Sequence, residues 1–325
     1  METANKPYQI TQEMVVWAYR LFLDREPESL YALEEKIKSA NNIQALREMF
    51  LTSEEFKQNN PQAFYTVSLL GHEPPLPIEQ ATDLQALFSH IQGVWNQLGA
   101  SEPHWSVISA EKFKSSQIQE TEDEFYKSGF HDVALLLRTL ERNGVDPGQL
   151  KTCLEYGCGV GRLTCWLARN FSEVIAYDIS KSHLQLAENY LKESNLENVS
   201  LRHLDQPQKL KDLPSVDLAY SLIVLQHNPP PMIHLVIREI LKCLNPGGVA
   251  VLQVPTYRLG YQFSLQEYLS ASTTKKEIEM HVLPQKEIFE IARHENCYPL
   301  EVLEDNKAGL TYGHRSNTFV IQKER

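Results

Sequence analysis

Residues 151–180 carry the groups best suited to chemistry: Glu155, then Gly157, Gly159 and Gly161, and further on Asp178. Glycines at alternate positions let a backbone turn tightly and approach a ligand with no Cβ in the way. An acid about 20 residues beyond the first glycine can accept hydrogen bonds from both hydroxyls of a ribose, because in a doubly wound sheet the second strand ends beside the first glycine turn. Together these residues point to a nucleotide-like cofactor. The spacing narrows the type. A dinucleotide site uses G-x-G-x-x-G beside the pyrophosphate, whereas the third glycine here comes one residue early and the loop is preceded by Glu155. An acid at that point repels a pyrophosphate and suits a cationic ligand.

Such a site needs one strand to end just before Gly157 and another to end at Asp178. A short apolar strand over 152–156, a helix from about Arg162 and a second strand over 174–178 meet that need. Strands and helices then alternate, with further strands expected at 199–203, 216–223, 249–254, about 299–304 and 317–323. This alternation predicts an α/β fold with a parallel sheet covered by helices on both faces. Ligands in open sheets of this type bind at the carboxyl ends of the strands, so the loops after the first four strands form the expected site.

The acid, spacer and G-x-G-x-G motif resembles the first motif of the class I S-adenosylmethionine (SAM) methyltransferases. Several pieces recur in the family's order over about residues 151–325: the glycine motif, Asp178, Asp205 after the third strand, the apolar strand from Asp217 to Ile223, and Leu244-Asn-Pro-Gly-Gly248 before a fifth strand. The resemblance implies a seven-stranded, doubly wound, Rossmann-like methyltransferase sheet whose seventh strand runs antiparallel between strands five and six. It also implies SAM as cofactor and S-adenosylhomocysteine (SAH) as product. Glu155 and the 157–161 loop would hold the methionine part, Asp178 the ribose and Ile179 one face of the adenine, with Asp205 near the exocyclic amine. Cys158, Arg162 and Ser221 belong to the same cofactor set. The alternative for Asp178 is a cap for the helix starting near Ser180, for Asp205 the start of a turn, and for Cys158 a small residue tolerated in a loop. Tyr126, on helices that fold over the cofactor mouth in the family, would stack on the cofactor or belong to the core.

Methyl transfer needs alignment and exclusion of water more than acid–base help, but a hydroxyl acceptor needs a base. His227, after the fourth strand, is the first candidate and His281 the second; each reads otherwise as a packing histidine. Asn228-Pro-Pro-Pro231 resembles the Asn/Asp-Pro-Pro-aromatic element of amino-nitrogen methyltransferases, yet it lies several residues late and lacks the aromatic. Asn228 as a helix cap followed by prolines explains it without chemistry. An insertion over 256–283 brings Tyr257, Arg258, Tyr261, Phe263 and Tyr268, groups that cover sugars or other small polar acceptors.

The chain has 325 residues, long for one domain. Residues 1–62 read as a separate all-helical accessory domain. Thr11 caps a first helix with Met14, Trp17, Ala18, Leu21 and Phe22 at helical spacing, and Ser53-Glu-Glu-Phe56 opens a fourth. Ala18 to Pro27 with Leu51 to Phe56 resembles the small bacterial domain of unknown function 4214, which accompanies surface-glycan enzymes; the segment otherwise reads as a docking module for a protein partner or for self-association. Residues 63–100 read as linker and helix, with proline-rich stiffness over 61–80. The methyltransferase domain follows over 101–325, with lid helices at 101–150 and a core at 151–325.

Five cysteines without a C-x-x-C pair indicate neither a disulfide framework nor a zinc site and suit a cytoplasmic protein. The net charge of −11 argues against nucleic acid as partner. No apolar run is long enough to span a membrane, and the first residues lack a secretory pattern. The expectation is a cytoplasmic methyltransferase acting on a small-molecule or glycan-related acceptor, at oxygen. Its rivals are a catalytically silent SAM-binding scaffold and a protein methyltransferase.

Overall fold

In the computed structural model, which describes residues 10–60, 84–270, 278–307 and 314–325, strands begin only after residue 150. The chain divides into two units. The proline-rich linker expected over 61–80 lies outside the described residues, as do 271–277 of the expected insertion.

The described part of the first unit is helical: α1 (Gln12–Leu23), α2 (Leu30–Ser39), α3 (Ile43–Leu51) and α4 (Glu54–Asn59). Thr11, Ser29, Asn42 and Ser53 cap them, each side chain accepting a backbone N–H three residues on. The buried stripe of α1 is Val15, Ala18, Tyr19 and Leu23; of the expected 14/17/18/21/22 face, Ala18 is buried and Met14 and Phe22 pack against the core. Trp17 is 50% and Leu21 73% exposed. The stripe is turned because Tyr19 meets Phe50 of α3 edge-on, with ring centroids 4.9 Å apart. Arg25 joins the two halves of the 18–27 and 51–56 pattern: its guanidinium donates to Glu55 at 2.5 and 2.8 Å and to Glu28 at 2.7 Å.

The second unit opens with α5 (Leu84–Ser101), α6 (Pro103–Val107) and the long α7 (Ile118–Arg142). Then come β1 (Thr152–Tyr156), α8 (Thr164–Leu167), β2 (Glu173–Asp178), α9 (Lys181–Glu193), β3 (Val199–His203), β4 (Val216–Ser221), α10 (Pro230–Cys243) and β5 (Leu244–Arg258). It closes with α11 (Leu265–Ser270), α12 (Gln285–His294), β6 (Cys297–Asp305) and β7 (His314–Lys323). The seven strands form one sheet in the order β3-β2-β1-β4-β5-β7-β6. The first five are parallel, and β7 runs antiparallel between β5 and β6, as the resemblance implied.

Neighbouring residues on each strand feed opposite faces of the sheet. Leu154, Ile175, Ala219 and Leu252 pack with α5, α10 and α12. Cys153, Val174, Leu218 and Val251 pack under α7 and α9. Burial on both faces is why these strands are continuous apolar runs with no polar alternation. β5 is much longer than the expected 249–254 because it pairs on both sides; its Pro255 sits at a register shift against β7, where the missing N–H leaves the ladder least disturbed. α8 is shorter than the expected helix. Trp166, Arg169 and Asn170 donate to carbonyls three residues back, so the segment tightens into 3₁₀-like turns.

Candidate cofactor site

The strand order reverses at β1, which pairs β2 on one side and β4 on the other. A cavity, partly open to solvent, lies at the carboxyl ends of these three strands. That is the position expected of a ligand site in a sheet of this kind.

Gly157, Gly159 and Gly161 all have positive φ, at 81°, 54° and 86°. A Cβ on Gly157 would strike the Val224 side chain and one on Gly159 would meet Val107. Both glycines line the cavity; Gly161 instead lets the turn press on Ala187 of α9. The loop is closed on itself electrically. Gly157 and Cys158 donate their amides to Tyr177 O, and Gly161 donates to Cys158 O. The Gly159 amide goes to Asp178 Oδ2 at 2.8 Å. With these amides engaged the loop is no phosphate cradle, unlike glycine turns that present free N–H groups to an anion.

Two acids, Glu155 and Asp178, stand in an otherwise mainly apolar cavity wall. Glu155 is 2% exposed, accepts a hydrogen bond from Thr164 Oγ1 at 2.6 Å, and has its carboxyl pushed up to about 7 by burial. Asp178 is also buried and accepts the Ser180 amide on Oδ1 at 2.8 Å. Ser180 itself caps α9, so Asp178 steadies that helix start without being the cap. Arg162 lines the same cavity, but its charge is engaged by Asp132 at 2.8 Å. A cationic group therefore meets two carboxylates and one already-paired cation there.

Cys158 and Ile179 also line the cavity. Besides Gly161, three expected residues do not. Tyr126 is in the core: its hydroxyl donates to Val160 O at 3.0 Å and its ring stacks on Tyr190. It braces the glycine turn from behind. Ser221 donates to Tyr156 O at 3.0 Å beneath the cavity floor. Asp205 is corrected to a surface residue paired with Lys209 at 2.9 Å. Leu204 points inward from the end of β3 and lines the cavity, and alternation sends its neighbour Asp205 outward.

His227 lies at the cavity rim. Its Nδ1 donates to Glu279 O at 2.9 Å, which leaves the lone pair on Nε2, 3.3 Å from the Gln226 amide nitrogen. Burial lowers its pKa to about 4, so the ring is neutral at pH 7. His281 stands elsewhere. It borders a second, shallower cavity with Tyr261, Phe263 and Tyr268, and its Nδ1 is 2.8 Å from Tyr261 Oη. Asn228 is not the cap of α10, a place taken by Pro229; its side chain donates to Val224 O at 3.0 Å and closes the preceding turn.

The sequence reading missed most of the roof. Ile91 and Trp95 from α5 and Ser106 and Val107 from α6 cover the cavity, with His183 from α9 in its wall. Trp95 packs on His227, with ring centroids 5.3 Å apart. Gln92 reaches across to the Ile179 and Leu204 carbonyls at 3.5 and 3.4 Å. Helical periodicity marks such residues only as apolar or polar; nothing local says which strand ends they will meet. Ile223 was also unmarked. It holds φ at 58°, an outlier for a β-branched residue, with its amide bonded to Gln253 Oε1 at 2.9 Å.

The strand order and the glycine turn give the second unit the fold of the class I SAM-dependent methyltransferases. Residues 153–248 match the model of the methyltransferase domain family, a span that holds the glycine loop, Asp178 and His227. The chain is 31% identical over 115 residues to the protein-L-isoaspartate O-methyltransferase of Methylobacillus flagellatus, covering 35% of this chain and 47% of that protein. It thus spans about half the length of that curated relative. The magnesium protoporphyrin IX methyltransferase of Synechocystis PCC 6803, solved with bound SAH, is similar with a TM-score of 0.51 and 18% identity, over 73% of this chain and 99% of that one. At that identity the likeness is one of fold. Among the described residues no helix is long and apolar enough to cross a membrane, and no three His, Cys, Asp or Glu side chains are grouped to hold a metal ion.

Proposed function

We propose that the second unit binds SAM in the cavity at the ends of β1, β2 and β4 and methylates a small-molecule or glycan-related acceptor at oxygen. The observation that carries the reading is the pairing of two buried acids, Glu155 and Asp178, with a glycine loop whose Gly157, Cys158, Gly159 and Gly161 amides are already bonded. Such a pairing fits a cationic nucleoside and not a polyphosphate. When bound, the cofactor supplies an electrophilic methyl group on a sulfonium. Glu155 and the 157–161 loop hold the methionine end, Asp178 accepts from the ribose, and Ile179 packs on the adenine. Trp95 and Val107 exclude water from above.

His227 is the base of this scheme. Its tautomer leaves Nε2 free of a proton, and a neutral imidazole at the rim can accept the proton that a hydroxyl loses on transfer. The partial similarity to an O-methyltransferase supports oxygen as the acceptor atom. Residues 1–62 we assign to docking, on a protein partner or a second copy. Calorimetric titration of the full chain with SAM and SAH, followed by a screen of hydroxylated small molecules and glycans, tests the reading. Micromolar binding with turnover is expected; binding without turnover on any acceptor would leave a scaffold, and no binding would end the cofactor assignment.

A further inference from the structure

Two residues of the cavity wall carry a buried polar atom with no partner, Arg162 at Nε and His183 at Nδ1, and of these only the His183 nitrogen can accept. The ring is 1% exposed and borders the cavity beside Asp178. Its other nitrogen, Nε2, lies 2.9 Å from Ser106 Oγ, and the Ser106 hydroxyl donates its single proton to Pro103 O at 2.8 Å. Ser106 must therefore accept, so Nε2 carries the hydrogen and Nδ1 a lone pair. Burial lowers the imidazole pKa, Asp178 only partly countering it, and the ring is neutral near pH 7.

Asp178 Oδ1, a second acceptor, stands 3.9 Å from this lone pair. Each Asp178 oxygen already holds one backbone N–H, from Ser180 and from Gly159. Two acceptors thus converge on the cavity wall with no donor between them, an arrangement that is costly when buried unless a ligand brings the donors. A vicinal diol brings two hydroxyl donors on adjacent carbons.

We infer that His183 is a cofactor-binding residue whose Nδ1 accepts a hydrogen bond from one ribose hydroxyl while Asp178 accepts from the other. This rests on the cofactor reading above and extends it to a residue that the glycine-acid motif does not contain. The same ring ties down the roof. Nε2 holds Ser106 of α6, and Gly99 lets α5 approach so closely that an added Cβ would strike Ser180 Oγ and come within 3.2 Å of Cε1 and Nδ1 of the ring. Engagement of the diol is thereby relayed to both helices that cover the cavity.

The test is calorimetry on the full chain with SAH and with its 2′-deoxy and 3′-deoxy analogues, for the wild type and for His183→Leu. The variant is expected to bind SAH about tenfold more weakly, the loss of one buried hydrogen bond. It should bind one of the two deoxy analogues as well as the wild type does, because the hydroxyl that Nδ1 accepts is already gone. Equal losses for SAH and both analogues would mark the ring as structural and overturn the inference while leaving the cofactor reading intact. No SAH binding by the wild type would overturn both. If His183→Leu does not fold, ¹⁵N spectra of the wild-type imidazole decide: the Nδ1 resonance should shift with SAH and not with one deoxy analogue, and no shift with SAH would overturn the assignment.

Discussion

On the proposed cofactor reading, Glu155 should make cofactor binding a proton-linked event. Its carboxyl is pushed from the ordinary 4.5 up to about 7 by burial, opposed by the Thr164 hydrogen bond and Arg162 and aided by Asp178. A shift of this size corresponds to about 3 kcal/mol of preference for the protonated form. The sign follows for stability first. Because the folded-state pKa is raised, the native state holds a proton that the unfolded chain releases, so stability falls by up to about 3 kcal/mol as pH rises from 4.5 to 7. A cationic ligand beside Glu155 favours the ionised form and expels the proton. At pH 6, where the acid is mostly protonated, binding of SAM should release about one proton; at pH 8 it should release about a tenth of one. Affinity should therefore rise up to about tenfold per pH unit below 7 and level off above it. Calorimetry in two buffers of different ionisation heat reads the proton number directly. Glu155→Gln should abolish the release, weaken SAM at pH 8, and raise the unfolding free energy at pH 8 but not at pH 4.5. Proton release that persists in the variant, or none from the wild type at pH 6, would refute the argument that a buried, protonated acid meets the cofactor's charge.

Asp178→Ala should weaken SAM by about 1.5–3 kcal/mol, the range for hydrogen bonds to a charged group; unchanged affinity by calorimetry would remove Asp178 from the site. His227→Ala should leave SAM affinity nearly intact while slowing transfer to a hydroxyl acceptor about 10²-fold or more. In the wild type kcat should fall on the acid side with a midpoint near pH 4, where the ring protonates; undiminished turnover in the variant would reject His227 as base. Gly157→Ala should cost about 1–3 kcal/mol in urea unfolding, since φ is 81° and the added carbon runs into Val224, and an unchanged midpoint would show that the turn relaxes freely.

The central strands of the β-sheet were readable because their own composition states their burial. Leu154 and Cys153, or Ile175 and Val174, pack on opposite faces, and a strand covered on both sides must be apolar throughout. The glycine loop and Asp178 were readable because positive φ and the length of one strand–helix–strand unit are local constraints. The family resemblance then supplied what spacing could not, the antiparallel place of β7. Helix faces were harder. In α1 the stripe turns by about one residue because Phe50 waits on one side, and no pattern within α1 records where Phe50 will be.

Side-chain direction at the ends of elements divides the site most sharply. Glu155, Gly157, Gly159 and Asp178 lie on one β-α-β unit, so their order along the chain already sets their order in space. Asp205 and Leu204 are adjacent in sequence, yet one faces solvent with Lys209 and the other faces the cavity, which depends on the pleat and register of β3. Trp95, Ser106 and His183 come together only because α5 and α6 fold back over the sheet onto α9, Gly99 permitting the approach. From its sequence alone this chain determined the parallel part of the sheet and the acidic glycine turn, both consequences of local backbone and charge. Tertiary packing alone decided which residues roof the cavity, which nitrogen of each histidine is free, and which acids lose their water, because those depend on contacts between segments far apart in the chain.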